Sequence, residues 1–225
     1  MGSQNYLNMA FEKLGHIMLD DMRMKASDIY KLAVKRQKKQ DYNPPVYNEN
    51  KINIRSVFEK GGMCFYVTPK NASVKEYFMF LHGGGFVSQM SRNEWRFVLD
   101  TVESTGYGAV VPVYPIAPDH SAAEAVDMLA GAYEKLCEKE DANRIVLIGD
   151  SSGACLALSV AIQLWKTGIR RPDKLILCSP VLDTEFEDRE LEQEMGDRRK
   201  FVYGYYYTPE IRSFLRQYWV KDSEG

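Results

Sequence analysis

The sequence predicts an α/β fold: a mostly parallel central sheet with helices on both faces. Three observations predict it. After residue 70, continuous apolar runs of strand length alternate with helical-period patterns. Two of those helices open on capping boxes, Ser91-Arg92-Asn93-Glu94 and Ser121-Ala122-Ala123-Glu124. Two of the strands run straight into glycine-rich turns, at Gly83-Gly84-Gly85 and around Gly149 and Gly153.

In chain order, residues 4–39 read as helical: Leu7, Ala10, Phe11, Leu14, Ile17 and Met18 recur at helical spacing, followed by Ile29, Ala33 and Val34. Pro44-Pro45 ends that region. Strands follow at 51–59 and 63–68, joined by Gly61-Gly62, a pair suited to the positive φ angles of a tight hairpin. Tyr77 to Leu81 is the next strand, and Trp95, Val98, Leu99 and Val102 mark one face of the helix after it. Ala109 to Tyr114 is a strand; Val126, Leu129, Ala130, Tyr133 and Leu136 form the buried stripe of the following helix. Arg144 to Ile148 is a strand and Ala154 to Trp165 a helix so apolar that burial on nearly every side is expected. Lys174 to Cys178 is the last strand, and Thr208-Pro209 opens an amphipathic helix with Ile211, Phe214, Leu215, Tyr218 and Trp219 on one side.

The chain has 225 residues, enough for one sizeable core, with 45% hydrophobic and 27% charged residues. A formal net charge of −2 gives no basic field for nucleic acid or anionic lipid, and the basic run Lys35 to Lys39 reads as a solvated helix end. No apolar run approaches a membrane span, and Asn5, Asn8, Glu12 and Lys13 interrupt any signal-peptide core at the N-terminus. Cys64, Cys137, Cys155 and Cys178 have no metal-like spacing. Cys155 and Cys178 lie in apolar runs and are expected as buried thiols, which suits a reducing cytoplasm. Neither a metal nor a cofactor is implied.

Gly149-Asp150-Ser151-Ser152-Gly153 fits G-x-S-x-G between a strand and a helix, a context that lifts the Ser151 hydroxyl above the sheet and aims a helix N-terminus at developing negative charge. The competing reading is an ordinary strand-to-helix turn with Ser152 as cap. His82-Gly83-Gly84-Gly85-Phe86 exposes backbone N–H groups with no side chains in the way, as tetrahedral acyl-transfer intermediates need. A phosphate-cradling loop would carry Lys and Ser or Thr after its glycines, and neither follows.

With Val113-Tyr114-Pro115-Ile116-Ala117-Pro118-Asp119-His120 between these motifs and Ser179-Pro180-Val181-Leu182-Asp183 after them, the sequence resembles the hormone-sensitive-lipase-like family of α/β-hydrolases over roughly residues 50 to 220. The resemblance implies the α/β-hydrolase fold with Ser151 as nucleophile of a serine carboxylesterase acting on small acyl esters. It implies an oxyanion hole from the N–H groups of Gly84, Gly85 and Ser152, and gives His82 a structural role. It also implies an N-terminal helical cap over residues 1–45 and a hydrolase core over 46–225, of which 185–225 is partly cap.

In such hydrolases the order is Ser, then Asp or Glu, then His. All three histidines here, His16, His82 and His120, precede Ser151. The C-terminal strands carrying the acid and the histidine are therefore expected to be missing, about 70 to 100 residues by typical element lengths. His120 and Asp183 are the in-chain substitutes, both disfavoured because the matching family residues play other parts. The polypeptide is thus expected to be weakly active alone, with an open sheet edge that is disordered or occupied by a second copy or a complementing C-terminal segment. Two other readings stand beside the esterase: a hydrolase-derived small-molecule-binding protein, and a structural subunit completed by another chain.

Overall fold

The computed structural model describes residues 26–70, 72–139, 142–180, 182 and 213–220. Helix α1 (Ala26–Gln37) precedes the hairpin β1 (Ile52–Glu59) and β2 (Gly62–Pro69). Then come β3 (Glu76–Leu81), α2 (Arg92–Thr105), β4 (Gly108–Val113), α3 (Ala122–Lys139), β5 (Arg144–Asp150), α4 (Ser152–Thr167) and β6 (Lys174–Cys178). A last helical stretch covers 213–220, with π-type winding over Arg216–Val220.

The six strands form one sheet in the order β1-β2-β4-β3-β5-β6. The β1–β2 and β2–β4 pairs are antiparallel; β4–β3, β3–β5 and β5–β6 are parallel. The pleat sorts side chains by alternation: Tyr77, Met79 and Leu81 of β3 enter one core layer, Phe78 and Phe80 the other. The first layer is closed by Leu129, Tyr133 and Leu136 of α3 and Leu156, Val160 and Leu164 of α4. The second is closed by Trp95, Val98, Leu99 and Val102 of α2. Fully burying each such side chain is worth about 1.5–3 kcal/mol over leaving it in water. Both capping boxes form: the carboxylates of Glu94 and Glu124 accept from the N–H groups of Ser91 and Ser121 at 2.7 and 2.6 Å.

Four expectations need correction. The hairpin turn is Lys60-Gly61, with φ of 47° and 85°, not Gly61-Gly62. Gly62 already pairs with Glu59 in the ladder, where a Cβ would lie 2.2 Å from Met128 Cε; its smallness serves packing. Helix α4 is buried on one side only: Ile162 is 43% and Trp165 65% exposed, because the helix lies on one face of the sheet beside α3. Strand β6 is largely exposed, Leu175 and Ile176 included, as the expected open sheet edge implies, since it pairs with β5 alone among the described residues. That edge is an ordered strand, not a disordered one. Cys178, at its end, is exposed; Cys64 is buried and Cys155 half-buried.

The helical reading of 4–39 is met over Ala26–Gln37, while residues 4–25 lie outside the described set. No described helix is long and apolar enough to cross a membrane.

Candidate active site

Strand β5 ends at Asp150, helix α4 begins at Ser152, and Ser151 is the single residue between them. The chain turns so sharply there that Ser151 adopts φ 51°, ψ −117°, a region that L side chains enter only under constraint. The constraint is legible in the flanking glycines. A Cβ on Gly149 would lie 2.3 Å from Gly153 O, and one on Gly153 would lie 2.2 Å from both His82 O and Leu81 O. The start of α4 is thus pressed backbone to backbone against the end of β3. Ser151 N–H donates to Cys178 O (2.8 Å) and Ser151 O accepts from Ala154 N–H (3.0 Å), which fixes both sides of the turn.

The capping alternative for this turn fails. Ser151 makes no side-chain cap bond to α4, and the buried hydroxyl of Ser152 has no partner. The helix N-terminus is left open toward the space above Ser151.

The loop from β3 arrives at the same place. A Cβ on Gly83 would lie 3.0 Å from Asp150 Oδ2. Beyond it the backbone is left-handed at three successive residues: Gly84 (φ 115°), Gly85 (63°) and Phe86 (65°). Val87 and Ser88 N–H close the turn onto Gly84 O. Gly83 N–H is taken by Glu94 Oε1 at 2.6 Å. Among the described residues, the N–H groups of Gly84, Gly85 and Ser152 donate to no protein acceptor, and both Gly84 and Gly85 are exposed.

His82 lies beneath this loop. It is buried and stacks on Tyr114, with ring centroids 4.2 Å apart. Gln89 Nε2 donates to Tyr114 O, so Gln89 Oε1 is turned toward His82 Nε2, 3.1 Å away. His82 Nδ1 lies 2.7 Å from Gly83 O, and Tyr114 OH donates to His82 O at 2.7 Å. Burial lowers the His82 pKa against the opposing pull of Glu94. Asp150 shifts the other way: burial first, then the charge of Glu94, raise its carboxyl above the ordinary value. His120 is half in solvent, with Nδ1 3.7 Å from Glu124 Oε2. Neither described histidine is presented to Ser151 as a base, and His16 and Asp183 lie outside the described residues.

Three glutamines over the loop went unread in the sequence. Gln89 exchanges hydrogen bonds with Gln40 in both directions, and Gln37 Nε2 donates to Val87 O and Ala117 O, which ties α1 and its exit to the glycine loop. Glu94 was read as a cap alone; its position just past a glycine loop was the available signal for a second task. From the other side, Trp219 stacks on Phe86 and Tyr218 meets Tyr30 of α1. Thr208-Pro209, read as the start of the helix that carries Trp219, lies outside the described residues.

The chain is similar to several proteins of known kind. An esterase of Acinetobacter venetianus is 32% identical over 113 residues, covering 50% of this chain and 37% of that protein. Human hormone-sensitive lipase is 31% identical over 117 residues, again 50% of this chain but 11% of that protein. The matched segments thus span well under half of these relatives. Among solved structures, a thermostable esterase of Pseudomonas putida superposes with a TM-score of 0.65 at 22% identity, over 90% of this chain and 63% of the other. The structure of EstE5, soaked with p-nitrophenyl butyrate, superposes with a TM-score of 0.68 at 19% identity, over 94% and 69%. At these identities the superpositions speak to fold. Residues 78–224, more than half of the chain, match the alpha/beta hydrolase fold family. With the sheet order, the elbow and the glycine loop in place, the chain belongs to that family, on its hormone-sensitive-lipase-like side.

Proposed function

We propose that this chain carries the nucleophile half of a serine carboxylesterase for small acyl esters. The observation that supports it most is the constrained Ser151, its hydroxyl spared from capping, together with three N–H groups that have no acceptor among the described residues. In this reading Ser151 Oγ attacks the ester carbonyl carbon, and the carbonyl oxygen takes the charge in the hole formed by Gly84, Gly85 and Ser152. The hydroxyl proton passes to a base and on to the leaving alcohol; water then releases the acid from the acyl-enzyme.

The base is not one of the described histidines. In this reading the acid and the base lie outside the described residues, on strands that would extend the sheet past β6, and residues 1–225 alone hydrolyse esters weakly. Residues 1–45, together with part of 185–225, serve as the cap; α1 and Trp219, lying against the Phe86 loop, support that division. Four free thiols favour a cytoplasmic setting.

The test is hydrolysis of p-nitrophenyl butyrate by the chain and by Ser151→Ala. Loss of whatever turnover exists supports the assignment; full retention overturns it. The occupied states of His82 and His120 also suit a binding protein that has left catalysis behind. Saturable binding of a small ester that is never turned over, even with added C-terminal segment, would favour that reading.

A further inference from the structure

Glu94 spends its two carboxylate oxygens on two different elements. Oε2 accepts from Ser91 N–H at 2.7 Å and completes the cap of α2. Oε1 accepts from Gly83 N–H at 2.6 Å. A capping box needs only the first of these bonds. The second leaves the helix and reaches the residue immediately before Gly84 and Gly85.

That residue is where the loop needs an anchor. Three successive left-handed residues follow it, and the turn bonds from Val87 and Ser88 close only within the loop. Phe86 O and Val87 O are held from outside, by Ala117 N–H and by Gln37, but both lie downstream of the two glycines. On the upstream side Glu94 is the external acceptor among the described residues. A hydrogen bond from a peptide N–H to a carboxylate is short and strong compared with a neutral one. It also commits the Gly83 N–H to the helix side. Left free, that donor would compete with Gly84 and Gly85 for the same anion.

The placement has an electrostatic cost. Glu94 puts negative charge close to Asp150, whose carboxyl it helps to raise, and near the space where an oxyanion would form. A side chain kept only for helix capping could sit at any helix start without that penalty. Its presence here is explained by geometry.

We propose that Glu94 is the positioning residue of the oxyanion loop: one carboxylate locks the first turn of α2 to Gly83 and so fixes where the Gly84 and Gly85 N–H groups point. This rests on the hydrolase reading for its catalytic meaning, but the brace itself is measurable without turnover.

The experiment compares the full chain with Glu94→Ala, Glu94→Gln and Ser91→Ala by backbone amide NMR and by p-nitrophenyl butyrate hydrolysis. Ser91→Ala removes the Ser91 Oγ bond to Glu94 N–H (3.3 Å) and leaves the link to Gly83 intact. In Glu94→Ala the Gly83 amide proton should move upfield, and order parameters at Gly84 and Gly85 should fall from about 0.85 to below ~0.6. Glu94→Gln keeps one oxygen acceptor but must turn its NH2 toward the other N–H, so glycine order should fall between that of Glu94→Ala and the parent. Ser91→Ala should lower thermal stability with no change at the glycines. In hydrolysis, Glu94→Ala should lose kcat by about 10- to 100-fold with KM nearly constant, as misplaced donors predict, while Ser91→Ala keeps kcat. Unchanged glycine order in Glu94→Ala overturns the inference, as does Ser91→Ala loosening the loop equally, or an unchanged kcat. If instead Ser151→Ala keeps full turnover, the hydrolase reading fails while the NMR result still decides the brace.

Discussion

The backbone N–H of Ser151 donates to the carbonyl oxygen of Cys178 at 2.8 Å, so the strained turn at Ser151 is fastened to the last residue of the exposed strand β6. Cys178 is also the most accessible of the four thiols; Cys64 is buried, Cys137 and Cys155 lie between, and burial raises the Cys137 pKa. Alkylation of the native chain at pH 8 should therefore label Cys178 first and Cys64 only on unfolding. Peptide mapping after short exposures to iodoacetamide gives the order, and early labelling of Cys64 would contradict the fold.

The backbone at Ser151 is costly. Residues held in such regions cost about 1–3 kcal/mol, and glycine relieves that at an entropic expense of about 0.5–1 kcal/mol. Ser151→Gly should raise the unfolding free energy by about 1 kcal/mol while removing the hydroxyl. Urea denaturation reads this directly; a destabilised variant would mean the turn is not strained.

Gly153 has no room to grow. A Cβ there meets two carbonyl oxygens of the β3 end, both main chain and unable to yield. Gly153→Ala should cost about 3 kcal/mol or more, as overpacking of a fixed contact does. Gly106→Ala, at φ 76° with nothing within 4 Å, should cost only about 1 kcal/mol, the left-handed backbone penalty. Comparable losses in the two variants would rule out the close approach of α4 to β3.

Asp150 offers a pH test. Its folded pKa lies above the ordinary aspartate value of 3.8, by burial and by the charge of Glu94. The fold then favours the protonated acid, so this group's contribution to stability is greatest below pH 3.8 and is lost as pH rises through the folded pKa. Asp150→Asn should therefore raise Tm at pH 7, and the gain should shrink on acidification toward pH 4. A gain independent of pH would assign the effect to something other than charge. Depressed by burial, His82 runs the opposite way, its contribution falling as pH drops below 6.5, so the comparison is made between variant and parent at each pH.

Much of the sheet was legible because its strands are apolar by alternation or in runs, and because Ser91 and Ser121 each stand three residues before a glutamate. The elbow was legible because Gly149 and Gly153 are where the backbones touch. What escaped were properties set by neighbours distant in sequence. Cys178 looks like core until one knows that β6 pairs on one side only among the described residues. Trp165 looks like core until α4 is seen to have one covered face. At Lys60, a lysine takes a left-handed position that the sequence reading gave to the second glycine, with its aliphatic stem packed over Gly131. The link from Glu94 to Gly83 joins residues of adjacent motifs, but only the folded loop brings the second oxygen into range.

The close approach of Gly153 to the end of β3 also bears on how the protein comes together. Strands β3 and β5 are neighbours in the sheet, yet α2, β4 and α3 intervene in the chain, and their parallel register from Glu76↔Arg144 to Leu81↔Gly149 can form only once that long loop has closed. Loop closure of this kind is slow and precedes any reward from contacts. Until then Phe78 and Phe80 lack their cross-strand neighbours Val146 and Ile148. Refolding yield should therefore drop as protein concentration rises, with intermolecular association competing at the very strands that later hold the serine in place.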